Sequence, residues 1–354
     1  MCKVTIAIAV FNVEKYIGQT LQSVLNQDFN DLEILVCDDC SNDNSVKIVK
    51  DMAANHPNGY KVRIISNSVN SGTSAVRNNC IDNAKGEYLY FLDGDDYITP
   101  NCISLLYSRI IEEPIDVVMA NHKAFCDSDE KVDVLINKNI NYIDADLKGE
   151  MAIVKWMKLV KTEKFPGAMW NKLYRTSFLR DNNIKCKLNH GIIDDIYFSF
   201  RILLKAKSFA SINEVTLFWR QRKGSAMNRE FSEGQFRLYL KILDDMCDDL
   251  EVFRQKSPKK EIEKELLLYV GRRYLSGFIM QNLLLNTIVS REFKEEYFNH
   301  IHRVVDLGFV KGCSSSRYDN YVLKFLDNEK RYLILKYSFV VWSALKEVKR
   351  KILH

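Results

Sequence analysis

Phe91-Leu92-Asp93-Gly94-Asp95-Asp96 sets three carboxylates within four positions at the end of an apolar run, Glu87 to Leu92. The run is short and rich in Tyr, Leu and Phe, which predicts a strand. Carboxylates this close repel one another and raise each other's pKa unless a cation is present. A hard divalent ion, which prefers oxygen ligands and bridges phosphates, would relieve that repulsion. An acidic β-turn accounts for the hexapeptide equally well, because Asp-Gly is a common turn pair. The flanking chain has to decide between the two.

On the N-terminal side the chain alternates strand and helix patterns. Val4 to Val10 is a short apolar run, as for a strand buried on both faces. Asn12 can cap the next segment, where Ile17, Leu21, Val24 and Leu25 share a face. Leu32 to Cys37 predicts a second strand. Ser41 or Asp43 then caps a helix carrying Val46, Val49, Met52 and Ala53. Lys61 to Ile65 predicts a third strand, and a helix from Thr73 to Ala84 stops at Gly86. On the C-terminal side, Thr99-Pro100 reads as N-cap and first residue of a helix bearing Ile103, Leu106, Tyr107, Ile110 and Ile111. Asp116 to Ala120 predicts a fifth strand. This alternation predicts an α/β fold, a mostly parallel sheet flanked by helices. Ligands in such sheets lie beyond the carboxyl ends of the strands. Phe11-Asn12, Asp38-Asp39, and Asp93, Asp95 and Asp96 all fall there. Residues 121 to 230 are less regular, and from about Phe231 the pattern is helical.

Bulk properties narrow the function classes. A chain of 354 residues with 47% hydrophobic and 27% charged residues has enough apolar content for a large core without staples. A net charge of +5 is too mild for a dedicated nucleic-acid binder. Nine scattered cysteines make no disulfide framework, which predicts a reducing compartment. Cys37 and Cys40 form a CxxC with no second pair nearby, so they read as small residues at a strand end. The N-terminus opens directly on a strand-like run with no leader pattern, and no apolar window is long enough to span a bilayer. Cytoplasmic residence is therefore the expectation.

Two more clusters carry chemistry. In Cys37-Asp38-Asp39-Cys40-Ser41-Asn42-Asp43, acidic and small polar groups after a strand suit hydrogen bonding to a base or ribose. Helix capping alone would explain Ser41 and Asp43, but not the Asp pair. In Asn70-Ser71-Gly72-Thr73-Ser74-Ala75-Val76-Arg77-Asn78, a glycine loop entering a helix offers N–H groups to an anion, and Arg77 and Asn78 could reach a nucleotide. A solvated Arg77 is the plainer alternative.

Taken together, these segments resemble the family 2 inverting glycosyltransferases with the GT-A fold. Val4 to Asn12 looks like the family's opening strand and aromatic-Asn pair, with Val10 where the family often has Pro. Asp38-Asp39-Cys40-Ser41 resembles its Asp-Asp-x-Ser segment, and Ala75-Val76-Arg77-Asn78 its Ala-x-Arg-Asn segment. Asp93-Gly94-Asp95 resembles its Asp-x-Asp signature. Weaker likeness continues through Trp170-Asn171-Lys172-Leu173-Tyr174, Asp194-Asp195-Ile196-Tyr197-Phe198 and Arg220-Gln221-Arg222-Lys223-Gly224-Ser225.

The resemblance implies a metal-dependent hexosyltransferase using a nucleotide-sugar donor, UDP-linked, and a glycan or glycolipid hydroxyl as acceptor, as in surface polysaccharide synthesis. It implies donor binding by Val10, Phe11, Asn12, Asp38, Asp39, Arg77, Asp93, Gly94, Arg222 and Lys223. Asp39 and Arg77 would hold the base, and Asp93 the ribose. Asp93 and Asp95 would ligate Mg²⁺ or Mn²⁺. Asp195 would be the general base, with Asp96, Trp170 and Asp194 on the acceptor side. A core role for Trp170 is the alternative. Some relatives place a His metal ligand in the late basic segment, but no His lies between His190 and His300 here. The expected division is 1–97 for the donor half, 98–230 for the acceptor half and 231–354 for a helical region. Within the last, residues 333–351 are apolar, then basic, which fits a helix lying on an anionic membrane or one packed in a core with a solvated tail. A nucleotidyltransferase would need a basic glycine loop after strand one, and a nicotinamide enzyme GxGxxG there. Phe11-Asn12-Val13-Glu14 is neither. An inactive sugar-nucleotide-binding partner or sensor stays as the alternative function.

Overall fold

The computed structural model describes residues 2–112, 115–127, 145–149, 152, 168–188, 194–222, 232–256, 266 and 292. The chain divides into two compact units, Met1–Arg229 and Glu230–His354.

The first unit is built on one sheet. Strand β1 (Val4–Val10) is buried along nearly its whole length. It pairs in parallel with β2 (Leu32–Asp38) on one side and β4 (Tyr88–Asp93) on the other. Strand β3 (Val62–Ser66) adds in parallel to β2. Helices α1 (Ile17–Leu25), α2 (Ser45–Asn55) and α3 (Thr73–Asn83) connect these strands. Helix α1 buries Ile17, Thr20, Leu21, Val24 and Leu25, the 3–4 spacing of one helical face. Beyond β4 come β5 (Tyr97–Ile98), α4 (Cys102–Ile111), β6 (Val117–Phe125), β7 (Ala145–Lys148), β8 (Lys172–Arg175), α5 (Thr176–Asp181), α6 (Asp194–Lys205) and β9 (Ser208–Arg220). The order across the sheet is β3-β2-β1-β4-β8-β6-β9-β5, with β7 on β9. The β8 strand is antiparallel to both neighbours, while β6 and β9 run parallel. The fold is thus a mostly parallel sheet flanked by helices.

Two consequences position the site. The chain leaves β1 towards β2 and β3, then returns to β4 on the other side, so β1 and β4 flank a topological switch point. Register also brings three candidate groups level: Val10 pairs with Asp38, and Ala9 with Asp93. Gly94 packs under this edge. A Cβ there would stand 2.8 Å from the Ala9 carbonyl oxygen and 3.1 Å from a Val13 methyl. Gly94→Ala is therefore expected to displace the Asp93–Asp96 loop and to cost about 1–3 kcal/mol, the range for overpacking. Denaturant melts measure the cost, and nucleotide binding reports the displacement.

Several capping assignments move. Asn12 does not cap α1. It takes a left-handed conformation (φ 51°), and the helix starts at Ile17, preceded by Tyr16. Its side chain instead accepts from the Asn42 N–H at 2.9 Å. Helix α2 starts at Ser45, whose N–H is bonded by Asp43 at 2.9 Å. Helix α4 starts at Cys102, two residues after Pro100.

The second unit contains α7 (Glu233–Lys256), which buries Phe236, Tyr239, Leu240, Leu243, Met246, Cys247 and Leu250 along one stripe. Among the described residues no helix is long and apolar enough to cross a membrane. The basic, apolar segment 333–351 lies outside the described residues.

Candidate active site

The end of β2 organises the first part of the site. The Asp39 N–H donates to the Val10 carbonyl at 2.9 Å, which ties β2 to β1. Its carboxylate accepts from Asn67 Nδ2, the Ser71 N–H and the Gly72 N–H, each at 2.8 Å. This corrects the expectation that the glycine loop before α3 presents its N–H groups to an anion, since Asp39 takes two of them. With 3% exposure, Asp39 is buried and braces the loop before α3. Asp38, also buried, accepts from the Ser41 N–H at 3.2 Å. Cys40 sits left-handed (φ 62°), an unfavourable state for a side chain of its kind, held by the Asp38 and Asp39 contacts on either side. Its thiol points to the Ser68 carbonyl at 3.8 Å, while the buried Cys37 thiol meets Cys80. Phe11 stands 43% exposed at the end of β1.

Arg77 lies at the centre. It projects from α3 with its side chain only 8% exposed. One nitrogen contacts Asp93 at 3.2 Å, and the other contacts Asp194 at 3.3 Å and also Asp195. Burial alone would lower its pKa, but the three carboxylates outweigh that and hold it well above its ordinary value. Ser74, one turn earlier, donates to the other oxygen of Asp194 at 2.8 Å. Arg77 was expected at the nucleobase with Asp39. It instead joins the end of β4 to the start of α6, and Asp39 lies on a separate network.

Asp194 and Asp195 open α6, where the helix N-terminus favours negative charge. They differ in exposure. Asp194 is fully buried and held by Ser74 and Arg77, whereas the Asp195 side chain is 19% exposed. Desolvation raises the Asp195 pKa to about 7, with Arg77 opposing the rise and Asp194 adding to it. Asp195 is therefore poised to exchange a proton near neutral pH.

The carboxylates after β4 separate by role. Asp95 accepts from Arg222 Nε at 2.8 Å, and its pKa is raised by burial and by the nearby charge of Asp93. Asp96 is 1% exposed and accepts the Arg220 N–H at 2.8 Å. Burial, then the charges of Asp95 and Asp93, push its pKa well above the ordinary value. Asp96 and Asp194 were expected to touch the acceptor. Both are instead buried and bonded within the protein, Asp96 to the Arg220 N–H and Asp194 to Ser74 and Arg77. Among the described residues no group of three or more His, Cys, Asp or Glu side chains could hold a metal. Two carboxylates remain, Asp93 and Asp95, and the like-charge repulsion on Asp95 suits a cation that completes its shell with phosphate oxygens and water.

Lys172 on β8 and His122 on β6 are groups that sequence reasoning left without roles. Lys172 is 2% exposed, bonds the Ala168 carbonyl, and is lowered by burial to about 7 although Asp195 pulls it upward. His122 on β6 is lowered by burial and by Lys172 to about 4, so it is neutral. The rings of His122 and Trp170 meet edge to face with centroids 4.7 Å apart, and Trp219 lies 6.1 Å from Trp170. Trp170 is half-buried and packs against the core. Arg222 lies over the Tyr16 ring, 5.1 Å from its centroid. Lys223 lies outside the described residues. Arg220 also went unassigned, although an Arg closing a long strand at the carboxyl edge of a sheet was a usable signal.

Carboxylates and arginines thus gather beside the topological switch point of β1 and β4. Residues 5–166 match the family model described as Glycosyl transferase family 2. EpsH of Bacillus subtilis is 31% identical over 230 residues, 64% of this chain and 63% of that one. The glycosyltransferase GlyA of Streptococcus pneumoniae is 28% identical over 75% of this chain and 36% of its own. The chain thus spans less than two thirds of either relative. The cholesterol galactosyltransferase of Borreliella burgdorferi is 23% identical over 88% of this chain and 86% of its own. In fold, the chain is similar to residues 1–349 of S. aureus TarS, solved in complex with UDP-GlcNAc. The TM-score is 0.67 at 21% identity, over 88% of this chain and 82% of that one.

Proposed function

We propose that this chain is an inverting glycosyltransferase that moves a sugar from a UDP-linked donor to a hydroxyl of a glycan or glycolipid, in the synthesis of a surface polysaccharide. The observation that carries the proposal is the Arg77 junction, which bonds both Asp93 and Asp195, the latter a partly exposed carboxylate with a pKa of about 7. A base of that pKa can take the proton of an acceptor hydroxyl as it attacks. With the diphosphate leaving on the far side of the sugar, attack inverts the anomeric carbon. Arg77 and Asp194 hold Asp195 in place. Phe11, Asn12, Asp38 and Asp39 shape the nucleotide pocket, and Arg222 or Lys223 supplies positive charge to the leaving diphosphate. Asp93 and Asp95 would hold Mg²⁺ or Mn²⁺, which when bound neutralises charge growing on the leaving diphosphate. Trp170 lies on the acceptor side.

The family match and the solved UDP-GlcNAc complex of TarS support the donor class. The relatives' names span a sterol and, for a Bacillus spizizenii protein 32% identical over 211 residues, a poly(ribitol-phosphate), so likeness bears less on the acceptor. Release of nucleoside diphosphate from a panel of sugar nucleotides, with Mn²⁺, with Mg²⁺ and with chelator, tests the reading. Release from one donor is the expected result, and no release together with no nucleotide binding would end it. Asp95→Asn should weaken donor binding in the presence of metal by about 10- to 100-fold, the range for a perturbed metal site. Equal donor affinity with and without chelator in the wild type would remove the metal from the scheme.

A further inference from the structure

We infer that Arg220 is the positioning residue of the Asp93–Asp96 loop, fixing the backbone from which Asp95 projects. The inference rests on the proposed donor site and deepens it. Arg220 ends β9, and its side chain is 3% exposed. It grips the loop twice. Its backbone N–H donates to Asp96 Oδ1 at 2.8 Å, and its Nε donates to the Asp95 carbonyl oxygen at 2.8 Å. The two terminal nitrogens reach outward, one to Gln19 on α1 and the other to Asp127 just past β6. The guanidinium plane lies against Tyr16 and Phe125, with 5.0 Å and 4.6 Å to the ring centroids. One rigid, planar group thereby links three parts of the unit to a single peptide carbonyl.

The chemistry follows from that geometry. Arg222 meets the carboxylate of Asp95, while Arg220 meets its backbone. The carboxylate must change partners if it is to ligate a cation, whereas the backbone need not. A fixed carbonyl lets the Asp95 side chain exchange Arg222 for metal while its Cα stays in place. Lysine cannot substitute, because a single ammonium lacks the fork that reaches three acceptors in one plane.

The structure also indicates that the side chain can be removed without collapse. Asp127 is 41% exposed at its side chain, and Gln19 is exposed, so water can satisfy both. The N–H bond to Asp96 does not depend on the side chain. Methionine can fill the space between Tyr16 and Phe125.

Isothermal titration of the full chain with UDP, in Mn²⁺ and in chelator, tests the inference with Arg220→Met and Arg220→Lys. Both variants should lose about 10- to 100-fold in UDP affinity in Mn²⁺, as when a supporting partner of a metal ligand is removed. In chelator their affinity should stay close to wild type, and the melting temperature of Arg220→Lys should change little. Unchanged affinity in Mn²⁺, or an equal loss in both conditions, would overturn the role, as would full rescue by lysine. If Arg220→Met does not fold, Arg220→Lys decides alone. Failure of the wild type to bind UDP in either condition would instead remove the donor reading beneath it.

Discussion

Asp195→Asn is expected to lower sugar transfer by roughly 10²- to 10⁴-fold, the usual contribution of a general base, while leaving UDP affinity near wild type. The amide is nearly isosteric and can still accept from Arg77, so the junction persists. What disappears is the site that takes the acceptor's proton. The pH profile supplies an independent check. Because the Asp195 pKa is raised to about 7, mainly by desolvation, the group is ionised only above that pH. Transfer should therefore fall as pH drops below about 7, with a slope of one proton, and the residual rate of Asp195→Asn should lack this limb. Asp194→Asn gives the contrast. Asp194 is fully buried between Ser74 and Arg77 and cannot touch an acceptor directly. Its loss should shift the limb downward, because its charge helps raise Asp195. Retained transfer in Asp195→Asn, or a limb that stays put in it, would assign the proton to another group.

The strands of the donor half were legible because their signal is local. Val4–Val10 is an unbroken apolar run, and β2, β3 and β4 fall within a residue of their expected bounds. The rule placing ligands at carboxyl strand ends then singled out Asp38, Asp39, Asp93 and Asp95 as candidates without any contact information. Partnership was not legible. Arg77 and Asp194 are 117 positions apart, and periodicity cannot reveal that a helix opening at Asp194 delivers two carboxylates to α3. The same limit hid the Asp39 bonds to Ser71 and Gly72, which turned a presumed anion loop into a braced corner. Caps failed for a different reason. Asn12 and Thr99 have the right side chains, but Asn12 adopts a left-handed conformation to meet Asn42, and α4 begins past Pro100. Tertiary hydrogen bonds outweighed local preference at both positions. Burial likewise separated Asp96 from Asp95, neighbours of the same type that sequence alone could not rank.

Arg77→Met should give the largest loss of stability of any single change in the site, about 3–5 kcal/mol, as for a buried ion pair deprived of one partner. The guanidinium is the shared counter-charge of Asp93, Asp194 and Asp195, and Asp194 has no route to solvent. The loss should depend on pH in a defined direction. Desolvation already holds Asp195 above its unfolded value, and Arg77 is what limits the rise. Removing Arg77 lifts the carboxyl further, so the folded protein binds its proton more tightly than the unfolded chain does. Such a group costs stability as pH rises from the unfolded value of about 3.9 through the folded one. The deficit of Arg77→Met should therefore be smaller at pH 5 than at pH 8, measured by urea melts at both. Arg77→Lys keeps the charge but not the fork that spans Asp93 and Asp194, and should recover part of the pH 8 deficit without restoring transfer. A deficit independent of pH would mean that Arg77 contributes by packing alone, and that the three carboxylates are already neutralised by other means.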